Sequence, residues 1–109
     1  MKIRFRKWAC LLVLMPPLLL LAAEKGDVDK GKEVYRRCAP CHGDSGEGNA
    51  AIGKMFGVTM PVLGSKEVQS LDDAAIRKII LEGKGKMKPI KLSDQEAENV
   101  IAFLRSLKK

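Results

Sequence analysis

Residues Cys38-Ala39-Pro40-Cys41-His42 constrain this chain more than any other stretch. Two thiols three positions apart are followed at once by the single histidine of the sequence. This is the C-x-x-C-H pattern of c-type haem attachment. The two thiols can bond the two vinyl groups on one edge of a porphyrin. The adjacent imidazole is then held beneath the ring, where it can ligate iron. A chain built on this pattern folds around a covalently fixed apolar disc.

Three other uses of the same residues compete. A structural zinc site takes four ligands, usually Cys or His. Apart from Cys10, far up the chain, the sequence offers Cys38, Cys41 and His42, and the last two are neighbours. A thioredoxin-like redox pair expects a strand and helix around it, and no alternating strand pattern is present. A plain disulfide would close a very small ring and leave the histidine unexplained. Haem is the reading that uses all three side chains.

The N-terminus reads as an export signal. Lys2, Arg4, Arg6 and Lys7 precede a charge-free run from Trp8 to Ala23, and Glu24 ends it. This is a positive n-region, an apolar h-region and a small-residue exit. As a helix, Trp8 to Ala23 would span about 24 Å, short of the roughly 30 Å hydrocarbon core. Pro16 and Pro17 would also disturb a spanning helix. Cys10 sits at the start of the apolar run and reads as an h-region residue with no role. Residues 1–23 are therefore expected to be a secretory signal and 24–109 one haem-binding domain. The expected location is periplasmic. Leu21 is a poor residue at the cleavage site, so an uncleaved anchor on the outer face of the inner membrane is the alternative.

Charge changes meaning with this division. The whole chain carries +7, which alone would point to nucleic acid or a membrane surface. Residues 1–23 hold four basic and no acidic residues, so the remainder carries +3. Nucleic acid is then not an expected partner. The remaining domain is short for a self-sufficient core, and a bound cofactor would complete it.

Helical periodicity organises the rest. Asp27 to Arg37 reads as a helix capped by Asp27. Gly43 to Gly57 reads as a glycine-rich loop with at most one helical turn. Met60 to Gly64 reads as extended. A helix is expected from a Ser70/Asp73 capping box to Gly83, with Leu71, Ala75, Ile76, Ile79 and Ile80 on its apolar face. Gly83 to Lys91 reads as another loop. A second capping box, Ser93 and Glu96, opens a final helix with Ala97, Val100, Ile101, Leu104 and Leu107 inward.

With one histidine, the opposite axial ligand cannot be a second histidine of the same chain. Met55, Met60 and Met87 are the methionines beyond the leader. Met60 lies 18 residues after His42, in a stretch expected on the histidine side of the haem. Met87 lies 45 residues after His42, in a loop of glycine and lysine where core filling is a poor explanation. The expected iron ligands are His42 and Met87, with Met55 and Met60 as packing residues.

From about Asp27 to Leu107 the chain resembles the class I c-type cytochromes, of the short bacterial single-haem kind. The resemblance rests on Cys38 to Gly43, the Gly83 to Pro89 methionine loop and the last helix through Val100 to Arg105. It implies an all-α fold of three to five helices packed around one covalently bound haem c. It implies that the first and last helices cross, with Gly31 at the close approach and Tyr35 and Phe103 beside it. It also implies a proline carbonyl accepting the proton of the ligating histidine, with Pro61 the best match. Lys88 departs from the family, which often places proline directly after the methionine.

The implied function is one-electron transfer rather than catalysis. A Met/His six-coordinate iron has no open position for substrate. Lys84, Lys86, Lys88 and Lys91 form either a solvated loop or a basic collar that steers redox proteins with acidic docking surfaces. A haem subunit docked on a dehydrogenase or oxidase is the alternative, and a peroxidase or gas sensor with an open site a further one.

Overall fold

The computed structural model describes residues 25–109. The expected signal at 1–23, with Cys10, lies outside the described residues. Six helices and no strand occur among them: α1 Val28–Tyr35, α2 Ala39–His42, α3 Ala50–Phe56, α4 Lys66–Gln69, α5 Asp73–Glu82 and α6 Asp94–Ser106. The all-α expectation holds. Two of the six are four-residue turns, α2 and α4.

The frame of the domain is the crossing of α1 and α6. Asp27 caps α1 by accepting from Lys30 N at 3.0 Å. Ser93 and Glu96 cap α6 reciprocally, at 3.1 and 3.0 Å. At the crossing both helices present backbone rather than side chain. A Cβ on Gly31 would lie 1.9 Å from the Asn99 carbonyl oxygen, and one on Gly26 would lie 2.1 Å from that of Glu98. Buried Asn99 takes the Asp27 backbone N–H at 2.9 Å, so the close approach is also hydrogen-bonded. Beside it the Tyr35 and Phe103 rings pack with centroids 4.8 Å apart. Ile76 and Ile80 of α5 join Val100, Ile101 and Leu104 to complete the apolar cluster.

Two helical stretches differ from the sequence-based expectation. Residues 50–56 form a two-turn helix where a loop with at most one turn was expected. Asn49 makes this possible, its side chain accepting from both Ala51 N and Ile52 N. The Ser70/Asp73 capping box is not formed. Asp72 caps α5 by accepting from Ala75 N at 2.7 Å, while Ser70 closes the preceding turn, donating to Glu67 O. Leu71 is consequently exposed rather than inward. Arg105 ties these elements together, donating to Asp73 and to the carbonyls of Gln69 and Leu71. No described helix is long and apolar enough to cross a membrane.

Candidate haem site

The motif occupies a single helical turn directly after α1. Cys38 N donates to Tyr35 O at 2.8 Å, then His42 N donates to Cys38 O at 2.9 Å. One turn of α-helix thus brings Cys38, Cys41 and His42 to neighbouring positions. Pro40 fits because the first turn of a helix needs no N–H from it. Gly43 ends the turn at φ 82°, a conformation that favours glycine.

So short a helix exposes all its last carbonyls, and each is taken. Ala39 O accepts from Gly43 N at 2.8 Å and His42 O from Gly48 N at 2.6 Å. Cys41 O accepts from Asn49 N at 2.9 Å, and Pro40 O from the Asn49 side chain at 3.2 Å. Gly43 O accepts from the Tyr35 hydroxyl at 2.5 Å. Residues 43–49 therefore clamp the motif, and Asn49 then starts α3. Neither Asn49 nor the Tyr35 hydroxyl was singled out from sequence. The asparagine before an alanine pair was the available signal.

The three motif side chains have the chemistry that haem requires. Cys38 is half-buried against the apolar cluster, Cys41 is exposed, and the two are free thiols. Burial pushes the Cys38 thiol above its ordinary pKa, with Arg37 acting in the opposite sense. A thiol so shifted is a poor nucleophile near neutral pH, unlike a reactive redox cysteine. Burial holds the His42 pKa below its usual value, which favours the neutral imidazole that binds metal. His42 Nδ1 is buried with no hydrogen-bond partner. Two free thiols and a neutral imidazole on one turn fit a covalently attached haem. No three His, Cys, Asp or Glu side chains gather to hold a lone metal ion among the described residues.

Pro61, expected to accept from the histidine, makes no hydrogen bond with His42 Nδ1. Its segment is anchored elsewhere, by Leu63 N donating to Gly46 O at 2.8 Å. Pro61 is exposed, and its carbonyl lies 3.6 Å from where a Gly48 Cβ would sit. The proline is thus near the loop that clamps His42 without bonding the ring.

Met87 lies in a tight turn after α5. Lys84 and Met87 exchange both backbone hydrogen bonds, at 3.0 and 2.9 Å. Gly85 makes the turn possible with φ 57°. Gly83 lets it close, since a Cβ there would lie 2.6 Å from Met87 O. The Met87 side chain is half-buried and packs on the same apolar cluster as Cys38 and Ala39. Met55 is 71% exposed. Met60 packs over Gly48, whose N–H holds His42 O.

An all-α fold with a C-x-x-C-H turn, a crossed pair of terminal helices and a methionine loop on one core is that of a small c-type cytochrome. The chain belongs to the family described as cytochrome c oxidase, cbb3-type, subunit III, which matches residues 26–104. It is also 36% identical to a thiosulfate dehydrogenase of Stutzerimonas stutzeri (strain A1501), over 73% of this chain. The chain spans 27% of that relative's length. Membership carries the cofactor with it: one haem c, bound covalently through Cys38 and Cys41.

Proposed function

We propose that this domain is an exported one-electron carrier whose haem iron is held by His42 and Met87. The carrying observation is that Cys38 and Met87, far apart in sequence, pack on one apolar cluster. The haem supplies a ferrous/ferric couple, and the protein supplies the rest. The clamped turn fixes His42, the tight turn presents Met87, and the apolar cluster excludes water. Thioether and imidazole ligation by Met87 and His42 would raise the reduction potential relative to two nitrogen ligands.

Lys84, Lys86, Lys88 and Lys91 are all exposed around the methionine turn. They support docking of redox proteins with acidic surfaces. Neither nucleic acid nor substrate turnover enters this reading. A redox titration should give a single one-electron wave, and the ferrous protein should not bind carbon monoxide. Rapid carbon monoxide binding would mean an open iron position and would favour a peroxidase or sensor.

A second reading has its own support. The family is described as an oxidase subunit, and the thiosulfate dehydrogenase is much longer than this chain. The domain would then be a haem module docked on a larger enzyme. Co-purification at a fixed ratio favours that reading, and recovery of the free monomer favours the carrier. Thiosulfate alone should leave the ferric protein oxidised, since the carrier reading gives it no substrate site.

The periplasm is the proposed location, by the basic and apolar leader at residues 1–23. An uncleaved leader would keep the domain at the outer face of the inner membrane. The mass of the exported protein separates the two.

A further inference from the structure

The haem motif and the methionine turn are joined on the surface by one side chain. Arg37 directly precedes Cys38, and its guanidinium donates to Lys91 O at 3.1 Å. Its other terminal nitrogen reaches Glu96 Oε2 at 3.5 Å. Glu96 is already engaged through Oε1, which accepts from Ser93 N at 3.0 Å. Arg37 thus binds both ends of Lys91 to Glu96, the stretch that leads from the methionine turn into α6.

The other tether on that stretch comes from a different direction. Ile90 N donates to Ile80 O at 2.8 Å, holding the chain to α5. Without Arg37 the stretch after the methionine turn keeps its hydrogen bond to α5 and the packing of Met87 on the core, but loses its polar tie to the residue beside Cys38. Although 55% exposed, the side chain is drawn across onto a backbone carbonyl and the Glu96 carboxylate together. Long basic side chains at such exposure usually extend into water. A planar guanidinium is the group suited to holding two oxygens at once.

We propose that Arg37 is a positioning residue for the sixth iron ligand, a latch that keeps the Met87 turn closed over the haem. The proposal rests on Met87 being that ligand. Arg37 touches neither iron nor haem in this role; it acts through Lys91 and Glu96. Its loss raises the population of open states in which Met87 is off the iron, so an added ligand competes better.

The experiment is imidazole titration of the ferric holoprotein, followed by loss of the methionine-to-iron absorption band. Wild type, Arg37→Ala, Arg37→Lys, Lys91→Ala and Met87→Ala are compared, with global unfolding measured alongside. Arg37→Ala should increase the apparent imidazole affinity about threefold to tenfold, the worth of one net hydrogen bond. Arg37→Lys should recover part of this, because an ammonium can reach one of the two oxygens. Lys91→Ala should resemble wild type, because the acceptor is its backbone. An unchanged imidazole affinity in Arg37→Ala overturns the latch. So does an Arg37→Ala effect on global unfolding with no separate effect on imidazole binding. If the band is absent in wild type or survives in Met87→Ala, the ligand assignment itself fails and takes the latch with it.

Discussion

The Tyr35 hydroxyl donates to the carbonyl of Gly43 at 2.5 Å, joining the end of the first helix to the residue after His42. The ring of Tyr35 is 3% exposed and rests on Phe103. One residue thus serves the helix crossing with its ring and the haem motif with its hydroxyl. Tyr35→Phe keeps the ring and deletes the bond. Chemical denaturation of the holoprotein should show a loss of about 0.5–1.5 kcal/mol, the worth of one net hydrogen bond, since Gly43 O still accepts from Gly46 N. An unchanged midpoint would show that the bond contributes nothing.

The same residue gives an alkaline signature. Burial, the largest cause, with the Glu47 carboxylate adding to it, pushes the Tyr35 phenol up to about 12. The protonated phenol is the form the folded state prefers. Its contribution to stability is therefore complete below about 10, the ordinary tyrosine value, and is lost as pH rises toward the folded value. Tyr35 is the only tyrosine, so the phenolate absorbance that Tyr35→Phe lacks reports it. Ionisation at the ordinary value in the folded protein would contradict this environment.

At the helix crossing, Gly31→Ala should be among the costliest single changes. Its new Cβ meets the Asn99 carbonyl, which is backbone and cannot step aside. Overpacking of this kind costs about 3 kcal/mol or prevents folding. Gly85→Ala is the control. Its φ is also unfavourable to alanine, at 57°, but a Cβ there meets nothing within 4 Å. Its cost should be about 1–2 kcal/mol, from backbone conformation alone. Thermal unfolding of the two variants separates steric from conformational effects.

The final helix has an acid-sensitive start. The Ser93 backbone N–H, accepted by Glu96, is the largest cause holding the Glu96 carboxyl below its ordinary range, and Arg37 adds to it. The folded state prefers the ionised form, so its contribution is present above the unfolded pKa. It is lost as pH falls through the folded value. Glu96→Gln should flatten the acid limb of stability against pH below about pH 4. Ser93→Ala should cost about 1 kcal/mol at neutral pH. Identical acid limbs in Glu96→Gln and wild type would contradict the box.

Partner exchange should depend on salt. If the lysines around Met87 steer acidic partners, the bimolecular electron-transfer rate falls as ionic strength rises. Replacing Lys84, Lys86 and Lys88 with glutamine should lower the rate and flatten that dependence. A flat dependence in wild type would leave these lysines as a solvated loop.

The sequence carried the haem turn, both terminal helices and their caps because each rests on local chemistry. Three contiguous side chains define the motif, and a capping box is complete within four residues. Gly31 was legible through the family pattern of the crossing. Helix α3 was not, because Gly53 interrupts it and Met55 and Phe56 face solvent, so no apolar stripe announces it. The glycine is required by the fold, since a Cβ there would lie 2.7 Å from Val58 O. Helix α4 is too short to show a period. The Ser70/Asp73 pattern pointed to the wrong cap because Asp72, two residues on, takes the Ala75 N–H while Arg105 holds the Leu71 carbonyl. The Arg37 contact spans 54 positions and looks like an ordinary charge until the chain is folded.

The central claim is that His42 and Met87 hold the iron, and its most direct test is the ferric spectrum of the holoprotein beside that of Met87→Ala. The wild-type protein should show the weak methionine-to-iron charge-transfer band toward the red, and Met87→Ala should lose it while keeping covalent haem. A band that persists in Met87→Ala, or is missing from wild type, would contradict the assignment.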